Sequence, residues 1–313
     1  MRAVVIKDGG IVVEQRPDPE PGSHEVLVRI HAAGINNADI LQREGHYPPP
    51  AGVPADMPGM EFAGEVQANG PGADRFPVGE RVMALIAGAG QAELVTVHER
   101  MLMPVPPKLD WPAAGGLPEV FTTAHDALFT QCELRAGERL LVHGAAGGVG
   151  VAAVQLGRAA GARVSATVRN PKHRDTVASL GAAVLSPENF VDEGPFDVIL
   201  ELVGAPNMPD NLRALRTGGR ISVIGTGAGG VVNEFPIGLL MARRGRIHGS
   251  TLRGRSLEEK AMAARGLERH VLPLFATGAL RVPLHKTFPL EQAAEAYDAF
   301  AAGGKLGKIV LTV

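Results

Sequence analysis

The chain has 313 residues, 45% hydrophobic and 20% charged, enough to bury one large core or two moderate ones, so it need not be disordered and a small disulfide-stapled module is excluded. Lys plus Arg number 31 against 33 for Asp plus Glu, a formal charge of -2, so no global basic field exists and nucleic acid is not an expected partner. A single cysteine, Cys132, excludes an internal disulfide and a four-thiolate zinc lobe and points to a reducing compartment.

The N-terminus, Met1 to Lys7, runs straight into a strand pattern without a secretory core or cleavage site. No apolar stretch approaches the roughly 18 residues of a membrane helix, so a cytoplasmic protein without membrane contact is expected. Up to about residue 115, β-like runs at Val4 to Ile6, Ile11 to Glu14, Val26 to Ala32, Glu61 to Gln67, Arg81 to Leu85 and Ala92 to Val97 predict a barrel-like β domain. The Gly45 to Pro50 segment, with Pro54 and Pro58 after it, reads as a stiff surface loop. Asp39 is expected to cap a helix and Trp111 to be a packing anchor at a domain boundary.

From Glu138 the rhythm becomes strand, Gly-rich turn, helix, strand: Arg139 to His143, the helix Val149 to Ala160, then Arg163 to Val168. Strands at Val184-Leu185, Asp197 to Leu202, Arg220 to Ile224 and Arg246 to His248, separated by helices at Pro171 to Leu180 and Asn207 to Leu215, predict a doubly wound parallel sheet of an α/β protein. The tail predicts one long helix from Ser256 to Ala276, another at Leu290 to Ala302 and a closing strand at Lys308 to Val313. It is expected to fold back on the first domain, leaving a cleft between two domains.

The turn Gly144-Ala145-Ala146-Gly147-Gly148-Val149-Gly150 follows a strand and opens a helix, which is where backbone amides and the helix dipole receive a pyrophosphate. Its spacing is G-x-x-G-x-x-G, looser than the dinucleotide fingerprint, and its place in a strand-turn-helix-strand unit carries the expectation of a nucleotide. About 20 residues on, NAD-binding chains place an acid at the ribose 2'-hydroxyl. Here the second strand ends Val168-Arg169-Asn170, followed by Pro171-Lys172-His173-Arg174. These cations match a 2'-phosphate, so NADP(H) is expected over NAD(H), with the contact open among Arg169, Lys172 and Arg174.

The ten histidines show no paired ligand spacing, so no metal site is expected, and His143 reads as a satisfied core or turn residue. No nucleophile elbow or P-loop lysine supports acyl or phosphoryl transfer. The order of a β domain, the turn from His143 to Gly150 continuing to Gln155, and the ending Gly304-Lys305-Leu306-Gly307-Lys308-Ile309-Val310-Leu311 resemble the zinc-free quinone oxidoreductases, the zeta-crystallin-like branch of the medium-chain dehydrogenases/reductases. Ala33 to Asp39, the Gln42 to Pro50 loop and Gly90-Gln91-Ala92-Glu93 resemble the stress-inducible NADPH:quinone oxidoreductase subgroup. Where zinc-containing relatives carry Gly-His-Glu, this chain has Gly59-Met60-Glu61.

The resemblance implies a GroES-like catalytic domain over 1–118, a Rossmann NADP-binding domain over 119–255 and a segment, 256–313, returning to the first. It implies hydride transfer from NADPH to a quinone in the interdomain cleft, an acceptor that needs no Lewis acid. Asn36, Tyr47, Pro48 and Thr122 would stand at the nicotinamide end, Ala146, Gly147, Gly148 and Val149 at the pyrophosphate, and Gly204, Gly225, Leu252 and Lys305 along the ribose and nicotinamide. Tyr47 would orient the substrate, its alternative being packing of its loop, and Lys308 is expected to be a charge flanking the last strand. A homodimer through Arg246 to His248 is what the family implies. Alternative readings are an NADPH-dependent enoyl reductase and an NADPH-binding protein with little turnover.

Overall fold

In the strand Glu25–Ile35, Val26, Val28 and Ile30 are buried while their neighbours Leu27, Arg29 and His31 are not, the period of 2 that turns one face of a sheet to a core. That pattern recurs through the first of two compact units into which the computed structural model, covering residues 1–313, resolves: Met1–Thr122 with Leu252–Val313, and Thr123–Thr251. The first unit begins with the hairpin of β1 (Arg2–Lys7) and β2 (Gly10–Gln15). Asp8 and Gly9 make its turn, both at positive φ, as a two-residue hairpin loop requires.

Then follow β3 (Glu25–Ile35), β4 (Glu61–Asn69), β5 (Arg81–Leu85), β6 (Leu94–His98) and β7 (Met103–Pro104), and from the end of the chain β14 (Leu284–Pro289) and β15 (Lys308–Thr312). They form one sheet in the order β14-β15-β3-β4-β5-β7. β3 is long enough to serve two partners on one side: its first half pairs with β6 and its end, Ala32 to Ile35, with β15. One core gathers Val28, Ile30, Phe62, Val82 and Val97, and a second gathers Ile35, Phe288, Tyr297, Ile309 and Leu311.

Three expectations shift here. The strand predicted from Ala92 begins at Leu94, Ala92 making only an isolated bridge to Ala3. The long helix predicted over Ser256 to Ala276 is two, Leu257–His270 and Leu272–Ala276. Pro273 has no N–H to donate to the Arg269 carbonyl and its ring would clash with that carbonyl, so the first helix ends and the second starts with the proline in its first turn. Trp111 opens a helix capped by Asp110, stacks on His31 and lies under the Arg81 guanidinium, an anchor within this unit.

The second unit holds β8 (Arg139–Val142), β9 (Arg163–Thr167), β10 (Ala183–Leu185), β11 (Phe196–Glu201), β12 (Leu215–Val223) and β13 (Arg246–Gly249) in one parallel sheet of order β10-β9-β8-β11-β12-β13. Every residue of β11 is buried, the continuous run of a strand covered on both faces. Its core includes Leu141, Phe196, Ile199, Leu212 and Ile221. Strand order reverses between β8 and β11, and ligands of such sheets bind at the carboxyl ends beside that reversal. The helix expected over Pro171 to Leu180 starts as a 3-10 turn, Pro171–His173, and becomes α-helical only over Arg174–Ser179. No helix is long and apolar enough to cross a membrane.

Candidate functional site

At the carboxyl end of β8 the Gly-rich turn closes on itself, the Gly147 N–H donating to the Gly144 carbonyl at 3.0 Å, and Gly147 becomes the N-cap of the helix Gly148–Ala159 without any side-chain cap. The first-turn amides of a helix have no intrahelical acceptor, so this end offers donors and a positive dipole end to an anion. Gly144 sits at φ 61, and a Cβ on Gly150 would lie 2.6 Å from the Ala145 Cα and the Gly144 oxygen. Ala146, Gly147, Gly148 and Val149 are all partly exposed around this opening. Beyond β9, Arg169 and Lys172 are exposed, while Arg174 is half-buried with its Nε donating to the Val168 carbonyl at 3.3 Å. Arg169 and Lys172 are thus the more available of the three cations.

Behind the turn lies a buried polar chain. The Asn211 amide nitrogen donates to Glu201 at 2.7 Å, which fixes the amide orientation and leaves its oxygen to accept from His143 Nε2 at 2.8 Å. His143 Nδ1 is then the acceptor for the Thr167 hydroxyl at 3.0 Å. Burial pushes the His143 pKa down, so the ring stays neutral in this arrangement. The other Glu201 oxygen accepts from the backbone of Val203 at 2.6 Å and Gly204 at 2.8 Å. Gly204, at φ 125, has Gly229 O 2.6 Å from a would-be Cβ, and Gly225 has Leu202 O at 2.3 Å. Both glycines therefore permit close backbone crossings at strand ends.

In the first unit, Tyr47 is half-buried and Pro48 exposed on the Pro-rich loop. Burial raises the Tyr47 phenol pKa, Arg253 opposes that rise, and no hydrogen bond to the hydroxyl contributes. The Thr122 hydroxyl is buried without a hydrogen-bond partner in the chain. Leu252 packs on Met60 and Leu85. Lys305 lies with Nζ 3.5 Å from the Phe300 ring centroid, its pKa brought down to about 8 by burial and then by Lys308.

Asn36 is buried, with both ends of its amide engaged: Oδ1 accepts from Lys308 Nζ at 2.6 Å and Nδ2 donates to Glu61 at 2.9 Å. Lys308 is accordingly no mere flanking charge. Its ammonium is buried, donating also to Glu61 at 2.6 Å and to the Ile35 carbonyl at 3.0 Å. The second Glu61 oxygen accepts from the Glu119 backbone at 2.8 Å. The sequence signal was a lysine opening an otherwise apolar final strand, Lys308–Thr312, whose first four residues are all buried. Arg253 was also missed, and it is fully buried between Leu252 and Gly254, where no periodic pattern marks it.

Asp39 caps the helix Asn37–Arg43 as expected, accepting from the Asn36 N–H at 2.8 Å, and it also accepts from Gly59 N at 3.0 Å. Its burial outweighs those bonds and the cations Lys308 and Arg253, pushing its pKa up from 3.8 to about 6. A carboxyl raised in the folded state contributes stability that is full below its unfolded value and lost as pH rises through the folded one. The unfolding free energy of the protein minus that of Asp39→Asn is therefore expected to fall by on the order of 2 kcal/mol between pH 4 and 7. Urea titrations across that window measure it, and a flat difference refutes it.

Residues 22–129 match the alcohol dehydrogenase GroES-like domain family and residues 148–266 the zinc-binding dehydrogenase family. A quinone oxidoreductase of Rattus norvegicus is 32% identical over 305 residues, 94% of this chain and 90% of the rat protein. One of Homo sapiens is 32% identical, covering 99% of this chain and 97% of the human protein. The crystal structure of an alcohol dehydrogenase superfamily protein from Novosphingobium aromaticivorans, 30% identical, superposes with a TM-score of 0.90 over 100% of this chain and 99% of that one. The side chains do not fit the zinc ion in the second family's description. Met60 is packed among apolar residues, Glu61 is held by Lys308, and the Cys132 thiol is pushed up to about 12 by burial. No three His, Cys, Asp or Glu residues converge in a ligating group. Sequence likeness along nearly the whole chain and a shared two-part fold place the chain in the medium-chain dehydrogenase/reductase superfamily, within its quinone oxidoreductase family.

Proposed function

We propose that the protein is an NADPH-dependent quinone oxidoreductase. The observation that carries this reading is the uncapped Gly-rich turn at the sheet's reversal point, followed at the end of β9 by exposed Arg169 and Lys172 where an NAD-type site has an acid. In this reading the amides of Gly147, Gly148 and Val149 hold the pyrophosphate, and Arg169 and Lys172 hold the 2'-phosphate. The partnerless Thr122 hydroxyl and the Tyr47–Pro48 loop serve the nicotinamide end. Asn36 contributes from within, through the amide that Lys308 and Glu61 keep in one orientation. Bound there, the reduced nicotinamide supplies a hydride.

The protein's own contribution is to bind, orient and exclude water. A quinone suits such a site because it is electrophilic without a metal and becomes aromatic when it takes a hydride and a proton. Tyr47 orients the acceptor through a hydroxyl that no intrachain hydrogen bond claims.

Cofactor oxidation by the purified protein, followed with 1,4-naphthoquinone and with an enoyl thioester, tests the reading. NADPH is expected to outperform NADH and the quinone the thioester. Faster turnover of the thioester would make the protein an enoyl reductase, and tight NADPH binding without oxidation would make it a nucleotide-binding protein. The double substitution Arg169→Ala and Lys172→Ala is expected to weaken NADPH binding roughly 10- to 100-fold, the worth of charge-assisted phosphate contacts, with NADH binding little changed. Equal losses for both nucleotides would remove these cations from the 2'-phosphate.

A further inference from the structure

Arg253 is the largest side chain buried to 2% exposure or less in the chain, and its surroundings are unusual for a buried cation. All three of its hydrogen bonds go to neutral acceptors: Nε to the Ala87 carbonyl at 2.7 Å, Nη1 to the Tyr47 carbonyl at 2.8 Å and Nη2 to Gln42 Oε1 at 2.5 Å. No carboxylate is within ion-pairing distance of the guanidinium, which lies 5.2 Å from the centroid of the Tyr47 ring. Burial pushes the Arg253 pKa down, countered by the more distant Asp39, Tyr47 and Tyr297. A buried charge without an ion partner is costly, and packing alone is served more cheaply by an apolar side chain.

The fork ties together three parts of the first unit: the helix Asn37–Arg43 through Gln42, the Pro-rich loop through Tyr47, and the turn after β5 through Ala87. Tyr47 has no other polar tether for its ring, and its backbone N–H reaches only the Leu41 carbonyl at 3.2 Å. We propose that Arg253 is the positioning residue for Tyr47, setting the loop by its fork and keeping a positive charge beside the ring so that the phenol is a stronger hydrogen-bond donor to an acceptor oxygen. This rests on the reading of Tyr47 as the residue that orients the quinone. As the acceptor takes a hydride, negative charge grows on its oxygen, and a donor with a cation behind it stabilises that oxygen more than it stabilises the neutral quinone.

The composition makes this measurable, because the chain has two tyrosines. Tyr297 is fully buried, its hydroxyl donating to Gln91 at 2.8 Å, and its pKa is raised well above the ordinary value. Phenolate absorbance appearing first with rising pH therefore belongs to Tyr47, whose charged neighbours are Arg253 and Glu119. In Arg253→Met the Tyr47 ionisation is expected to move up by about one unit or more, and kcat for the quinone, measured at saturating NADPH, to fall roughly tenfold or more. Arg253→Lys retains the charge without the fork: kcat is expected to fall while the phenol titrates within about half a unit of the unsubstituted protein. Should Arg253→Met fail to fold, the lysine variant decides, and unchanged kcat there overturns the positioning role. A phenol indifferent to Arg253→Met overturns the electrostatic one. If the unsubstituted protein reduces no quinone, the functional reading fails, while the phenol titration still reports whether Arg253 governs Tyr47.

Discussion

Lys308→Met is expected to cost the protein about 3–5 kcal/mol, the usual penalty for stripping one partner from a buried ion pair, and to lower the thermal midpoint by roughly 10 °C. The side chains of Lys308 and Glu61 are 4% and 0% exposed. The ammonium gives its three donors to Ile35, Asn36 and Glu61. Methionine fills much of the same volume, so what disappears is the charge and its hydrogen bonds. Glu61 would be left with the Asn36 amide and one backbone N–H, too little for an ionised carboxylate out of water. Adding Glu61→Gln to Lys308→Met removes the second charge and is expected to recover a large part of the loss. Arg100→Ala is the control: Arg100 and Glu258 are also paired, but their side chains are 45% and 67% exposed, and water screens such a pair so that it contributes little. Calorimetry on the four proteins decides the matter; a Lys308→Met midpoint no lower than that of Arg100→Ala would show that the cluster carries no special stability.

This cluster marks the limit of what the residues alone disclose. Periodicity locates β3, β4 and β11 because each must bury a face or a whole strand, and burial leaves a pattern in the residue types. The Gly-rich turn is equally legible, since its chemistry is local: a strand, a turn and a helix contiguous over residues 139–159. Lys308 lies on β15, more than 240 residues along the chain from Glu61 at the start of β4 and from Asn36 just past the end of β3. No window of sequence contains them together, so Lys308 reads as an ordinary charge until β15 is seen to pair with β3. Arg253 is hidden for the same reason, its acceptors lying near residues 42, 47 and 87. The broken helix at Val271 is legible in the sequence, because Pro273 cannot continue a helix that runs up to it but is at home in the first turn of a new one.

Two alanine substitutions in the Gly-rich turn are expected to separate its part in the fold from its proposed part in holding a phosphate. A methyl at Gly150 would stand 2.6 Å from both the Ala145 Cα and the Gly144 oxygen, backbone atoms that cannot rotate away. Gly150→Ala must therefore push the helix off β8, and both thermal stability and NADPH binding are expected to fall, binding by about 100-fold or more. Gly147 differs: its φ of -72 suits any residue, and the nearest atom to an added Cβ is the Gly144 oxygen at 3.5 Å, an ordinary contact. Gly147→Ala is thus expected to leave the thermal midpoint within about 1 °C, since a surface change with no strain costs little. If a pyrophosphate closes on this turn as proposed, a side chain at the N-cap crowds its approach to the uncapped amides of the helix. NADPH affinity is expected to drop roughly tenfold or more, as measured by fluorescence titration or calorimetry. Full affinity in a stable Gly147→Ala protein would mean that no phosphate closes on this turn, and the nucleotide would have to be sought elsewhere in the second unit.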